Sequence, residues 1–175
     1  AAATAVVLSL PLAGGIAGLA LAPPLLLPVA VLGLAWLNNA FNFMDGIDGI
    51  AGAQTLFMAG AAALLLGSGA GASDSQLLLA GTAGAALGFL LLNWPPARLF
   101  MGDAGSQPLG FALAAATLVT SARGELSLAV WVILWAAFLV DASVTLVVRA
   151  WRGQRLAEAH RDHAYQRLAR RLGAH

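Results

Sequence analysis

The first 97 residues carry three charged side chains, Asp45, Asp48 and Asp74, and no basic one. That scarcity limits the fold more than any other feature. A soluble domain has roughly 25% charged residues to face water, whereas here 10% of 175 are charged and 60% are hydrophobic. The outer surface must therefore face lipid. There every backbone polar group has to be bonded within the chain, and long apolar runs do this as helices. The expected fold is all-α, a multispanning transmembrane bundle.

A span takes about 20 apolar residues. Six stretches qualify, at roughly 4–22, 25–43, 50–67, 77–93, 107–122 and 126–148. Pro11 and Pro28 lie inside the first two, which a membrane bundle tolerates because neighbouring helices satisfy the freed groups. Gly14/Gly18 and Gly84/Gly88 have the spacing of close helix contacts, although a chain this rich in Ala and Gly would also produce it by composition. The organisation is a transmembrane domain over 1–148 and a tail over 149–175. The tail holds seven arginines against Glu158 and Asp162. By the positive-inside rule it is cytosolic, which places 44–49 and 94–106 inside as well, with 68–76 and 122–126 outside. The same rule explains the arginines without a nucleic-acid partner. The chain has no Cys and no Lys, so thiolate metal sites, Cys nucleophiles, Schiff bases and a Walker A loop are excluded. It starts Ala-Ala-Ala-Thr with no Met or charged leader, and an internal piece of a longer multispanning protein is expected.

Three polar clusters fall on the expected cytosolic face. In the first, Asn39, Asn42, Asp45 and Asp48 recur every three residues and would share one broad helix face. Gly46 and Gly49 would let that helix break and a ligand approach the backbone. Carboxylates beside an apolar span are costly, so function is the default reading; the alternative is a polar turn with Asp48 capping the next helix. In the second cluster Asp103 stands between Gly102 and Ala104-Gly105-Ser106. A carboxylate so placed suits Mg²⁺, or a helix start capped by Asp103 or Ser106. In the third, His160 and His163 would lie on one helix face near Arg161, Arg167, Arg170 and Arg171, a surface for phosphate or for anionic lipid. Asp141 is an acid within the last span, directed to a polar cavity or to an arginine at the helix end.

The segments Asn39-Ala-Phe-Asn-Phe-Met-Asp-Gly-Ile-Asp-Gly-Ile-Ala51, Phe100-Met-Gly-Asp-Ala-Gly-Ser106 and His160-Arg-Asp-His-Ala-Tyr-Gln-Arg167 together resemble the polyprenyl-phosphate N-acetylhexosamine-1-phosphate transferases. This family, glycosyltransferase family 4 with the lipid I translocase, is a group of bacterial membrane enzymes. The tail looks closest to the branch that initiates O-antigen, a part of lipopolysaccharide. The resemblance implies transfer of sugar-1-phosphate from a UDP-N-acetylhexosamine to undecaprenyl phosphate, with release of UMP and a need for Mg²⁺ or Mn²⁺. It implies a multi-pass protein of the inner membrane, active at the cytosolic face and compatible with a homodimer. Matched by position, Asp103 is the metal-binding aspartate, while Asn39, Asn42, Asp45 and Asp48 line the nucleotide-sugar pocket. Asn93 and Phe100 stand by the uracil, and His160, Arg161 and His163 face the diphosphate.

One departure is plain. The family has an adjacent Asp-Asp pair on an earlier cytosolic loop, and here no two acidic residues adjoin. The family also has more spans than the six counted, so the piece alone is expected to be inactive. Two rival classes are a transporter or channel piece with an acidic ion path, and a structural subunit. The acids gather at one interface rather than at the midplane, which argues against the first. The second leaves both glycine-flanked acidic motifs unexplained.

Overall fold

The structure is a computed structural model that describes residues 23–67, 72–154 and 163–172. Among these, six helices follow one another: α1 (Pro23–Met44), α2 (Ile50–Leu66), α3 (Asp74–Asn93), α4 (Gly102–Ala122), α5 (Leu128–Trp151) and α6 (Ala164–Leu172). Five of the six expected spans are thus helices, and the first, 4–22, lies outside the described residues. Leu27–Met44 in α1, all of α3 and all of α5 are each long and apolar enough to cross a membrane. The helix α2 is apolar but only 17 residues long. At 1.5 Å per residue it reaches about 26 Å, slightly under a bilayer's hydrocarbon core. The helix α4 falls below that apolarity because Ser106, Gln107, Thr117, Thr120 and Ser121 lie along it. The described chain is a membrane helical bundle.

The helices pack in two layers of close pairs, α2 on α3 and α1 on α4, with α5 against α1 and α4. Glycine sets the closeness of the pairs. A β-carbon at Gly110 would stand 2.9 Å from both Asn38 Oδ1 and Phe41 Cβ of α1, and one at Gly52 would stand 2.9 Å from Leu90 of α3. Gly84 and Gly88, in contrast, meet nothing within 4 Å, so their spacing makes no helix contact among the described residues. Between α1, α4 and α5 lies an aromatic core, with Phe41 edge-on to Trp135 at 6.3 Å and tilted on Phe138 at 5.5 Å. In lipid, such packing stabilises through van der Waals contact rather than expulsion of water. The outward faces carry Leu32, Leu64, Leu91 and Ile133, all more than two-thirds exposed, as lipid-facing positions should be.

The threonines inside the bundle are satisfied locally. Thr117 and Thr120 return their hydroxyls to the carbonyls of Leu113 and Ala116, one turn back. The same hydroxyls accept the indole N–H groups of Trp135 at 3.0 Å and Trp131 at 2.8 Å. This pairing of α4 with α5 accounts for the threonines that make α4 less apolar. Ser73 and Ser127 cap α3 and α5 by accepting from the Gln76 and Val130 amides.

Candidate active site

The polar clusters meet at one end of the bundle, where α1 ends, α2 begins, α3 ends and α4 begins. The helix α1 stops at Met44, before Asp45, so the expected single helix face over Asn39, Asn42, Asp45 and Asp48 does not form. The break is backbone chemistry. Gly49 has φ 79°, a left-handed value that a side chain would strain, and it takes the N-cap place of α2. Asp48 is therefore not the cap. Its Oδ2 instead accepts the Ala97 amide at 2.9 Å, tying the 45–49 turn to the loop after α3.

Asn93 ties the same two segments a second time. Its Oδ1 accepts from the Gly49 amide at 3.0 Å, and its Nδ2 donates to the Leu99 carbonyl at 2.8 Å. Its amide is thus engaged in bracing the backbone while it stands in the cavity wall. Asn42 accepts the hydroxyl of fully buried Ser106, and Asn38 donates to Gln107 at 2.9 Å, so both asparagines pin α1 to α4. Asn39 is exposed, one position round the helix from Asn38. Ser106 thus serves as a bundle contact and not as the cap of α4; Met101 stands at that N-cap position.

These braces enclose a cavity of about 280 Å³ lined by Asp45, Gly46, Ile47, Asp48, Asn93, Phe100, Met101 and Gly102. Gly102, at φ 59°, turns the chain into α4, and Asp103 sits exposed in the first turn. Phe100, also in the cavity wall, is 71% exposed. Burial raises the Asp45 carboxyl above the usual carboxylate range, and the charge of Asp103 raises it further. The first effect is the cost of taking the charge out of water, and the second is repulsion between two like charges. Among the described residues no three His, Asp or Glu side chains form a group able to hold a metal alone. A pair of carboxylates does fit a hard divalent cation such as Mg²⁺, which takes one or two carboxylates and completes its shell with water and phosphate oxygens.

His163 lies beside this cavity rather than in its wall. It is buried, its Nδ1 3.5 Å from Asp141 Oδ1, and its ring stacks on Tyr165 at 5.8 Å and faces Phe43 at 6.3 Å. His160 and Arg161 fall outside the described residues. Tyr165 donates its hydroxyl to the Phe43 carbonyl at 3.1 Å and lies directly over Gly46. Burial pushes that hydroxyl up to about 12, Asp141 and Asp45 add to the rise, and a hydrogen bond with Gln166 opposes it. Tyr165 and Asn38 were not legible as site residues in the sequence. Asp141 was legible only as an oddity, an acid in an apolar span.

On the other side of Tyr165 a larger cavity, about 800 Å³, runs along α5. Its walls are mainly aliphatic, with Val140, Val144 and Val148, and it carries Arg149, Arg152 and Arg167. The larger cavity is suited to an apolar molecule with an anionic end, although Asp141 also stands in its wall; the smaller one has the paired acids Asp45 and Asp48.

The sequence pattern of the family described as Glycosyl transferase family 4 matches residues 1–121. A phospho-N-acetylmuramoyl-pentapeptide-transferase of Heliobacterium modesticaldum is 42% identical over 127 residues, which are 71% of this chain and 37% of that protein. One of the same name from Clostridioides difficile is 41% identical over 97 residues, 55% of this chain and 30% of that protein. A probable undecaprenyl-phosphate N-acetylglucosaminyl 1-phosphate transferase of Bacillus subtilis is 29% identical over 146 residues, 81% of this chain and 40% of that protein. The chain spans about a third of the length of the curated relatives it matches.

Proposed function

The chain belongs to glycosyl transferase family 4, and from that premise we propose that the intact protein transfers an N-acetylhexosamine-1-phosphate from a UDP-sugar to undecaprenyl phosphate. An oxygen of the acceptor phosphate bonds to the donor's β-phosphorus. The bond from that phosphorus to the bridging oxygen breaks, and UMP departs with the electron pair. The observation that carries this reading is the placement of Asp45 and Asp48 in the wall of one small cavity at the end of an apolar bundle, with Asp103 next to Gly102 of that wall and near enough to act on the Asp45 charge.

In this reading Asp103, with Asp45, would hold Mg²⁺, for which Mn²⁺ could substitute. When bound, the cation neutralises the donor diphosphate and makes UMP a better leaving group. The exposed ring of Phe100 stacks on the uracil, an interaction worth about 1–3 kcal/mol per base. Asp48, Asn93 and Asn42 keep the cavity's backbone walls in place. His163 sets the ring of Tyr165 over the 45–49 turn, and His160 and Arg161 face the diphosphate from the tail. The aliphatic cavity along α5, with its arginines, suits a polyprenyl chain ending in phosphate. The site then opens to the cytosolic face of a bacterial inner membrane, where such a lipid and a soluble nucleotide meet.

The names of the relatives divide the donor into two kinds, one a muramoyl pentapeptide and one N-acetylglucosamine. The match covering the larger share of the chain is to the second, at 29% identity, whereas the first is 42% identical over a smaller share. Both UDP-sugars are therefore carried as donors, and the product's use is the start of a cell-envelope polymer, O-antigen among them. UMP release by the intact protein in membranes is the test, with undecaprenyl phosphate and either UDP-sugar, with and without Mg²⁺. Release that needs the lipid phosphate, the cation and one of the two donors is the expected result. Ion flux without UMP release would favour a transporter instead.

A further inference from the structure

We propose that Asp141 is a positioning residue for the acidic cavity, fastening the start of α6 so that His163 and Tyr165 are held against the turn that carries Asp45. Asp141 lies in α5 amid apolar residues, two turns before Arg149. Its carboxylate makes four contacts. Oδ1 accepts the Ala164 amide at 2.9 Å and the Thr145 hydroxyl at 3.1 Å, and it faces His163 Nδ1 at 3.5 Å. Oδ2 accepts the Tyr165 amide at 3.2 Å.

The amides of a helix's first turn have no partner within the helix and carry its positive dipole end. A carboxylate from another helix therefore satisfies the first turn of α6 as a side-chain cap would, but across 23 residues of sequence. The helix α6 has nine residues, too few to persist by its own hydrogen bonds, so its position depends on what holds it. The Asp141 side chain is 11% exposed and that of His163 4%, which places these bonds where charge-assisted contacts are strong.

The connection onward is continuous. Tyr165, fixed by its amide on Asp141, sends its hydroxyl to the Phe43 carbonyl and covers Gly46, where a β-carbon would collide with it. Phe43 stands two residues before Asp45 and Gly46 directly after it. The carboxylate of α5 thus reaches the acidic turn through one short helix start, without itself lining the smaller cavity.

The activity part of the test rests on the transferase reading; the labelling part does not. The intact protein is prepared with Ala169→Cys as its single cysteine. Ala169 is a buried residue of α6, so maleimide reacts slowly while the helix is seated. Asp141→Ala should speed that labelling by about tenfold or more and lower kcat by about 10- to 100-fold, the scale for losing a partner that orients site residues. KM for the UDP-sugar should move by less than about threefold, a smaller change than in kcat. Asp141→Asn, which keeps one acceptor oxygen, should fall between, and Tyr165→Phe added to Asp141→Ala should cost little more, because both act along one path. Unchanged labelling in Asp141→Ala overturns the fastening. Faster labelling with unchanged kcat overturns the positioning role, as does a fully multiplicative double variant. If the unsubstituted protein releases no UMP, the transferase reading fails and the labelling rate alone decides whether Asp141 holds α6.

Discussion

The two ends of this bundle use polar groups in different ways. At the end formed by the α4–α5 turn, partners are near in sequence and close a local account: Trp131 with Thr120, Trp135 with Thr117, Arg123 with Glu125, Ser127 with the Val130 amide. At the opposite end the bonds are long in sequence and join loops. Asp48 reaches Ala97, Asn93 reaches Gly49, and Tyr165 reaches Phe43, 122 residues away. The α4–α5 end still leaves Ser121 Oγ and Glu125 Oε2 without hydrogen bonds, yet it gathers no like charges. The other end brings the exposed Asp103 within electrostatic reach of Asp45 in the cavity wall, where burial already disfavours the Asp45 charge. An arrangement that only stabilised the fold would gain by replacing one carboxylate. The difference between the ends is thus one of charge, with neutral pairs at the α4–α5 helix contact and neighbouring carboxylates at the cavity.

The comparison breaks most sharply at those carboxylates. Asp103→Asn and, separately, Asp45→Asn should each lower UMP release by about two to three orders of magnitude, the scale for losing one preorganised charge-stabilising group. Thermal stability should stay level or rise, because repulsion between the half-buried Asp45 and the exposed Asp103 is relieved. Turnover per folded molecule and the Tm of the same preparation check both halves. A fall in Tm with turnover intact would make the acids structural and remove the contrast between the ends.

A smaller and opposite effect is expected from Thr120→Val. It removes the acceptor of the Trp131 indole and leaves a fully buried N–H without a partner. The cost should be about 1–3 kcal/mol of stability. Turnover per folded molecule should not change, since the pair lies at the end away from the cavity. Equilibrium unfolding in detergent gives the first quantity and UMP release the second. A loss of turnover beyond the unfolded fraction would show that the two ends are coupled.

Much of the architecture was legible in the sequence because lipid imposes a simple rule on it. Apolar runs must be helices, and the expected bounds near 25–43, 50–67 and 126–148 lie within a few residues of α1, α2 and α5. Gly46 and Gly49 marked the break that separates α1 from α2. What the spacing could not show was where the break falls. A period of three fits one helix face, but a helix that stops at Met44 sends Asp45 and Asp48 onto a turn instead. Asp48 as a helix cap was a local reading of a residue whose partner is 49 residues away. Asp141 was harder still, since its hydrogen bonds to α6 come from backbone amides, which every residue but proline possesses and no motif records. Its sequence trace was the cost of placing an acid in an apolar helix, a signal of importance without a direction.

The gentlest test lies at the α4–α5 turn. Arg123 and Glu125 stand 3.7 Å apart, the arginine side chain half exposed. At that distance and exposure, water and salt screen most of the attraction, and holding two long side chains together has its own entropic cost. Arg123→Ala should therefore change stability by no more than about 1 kcal/mol and leave turnover as it was. Glu125 keeps its place through its backbone, whose amide donates to the Thr120 carbonyl at 2.9 Å whatever the side chain meets. Raising the salt concentration should erase even the small difference between Arg123→Ala and the unsubstituted protein. A larger, salt-insensitive loss would place this pair among the buried contacts and make the α4–α5 end as dependent on charge as the cavity end.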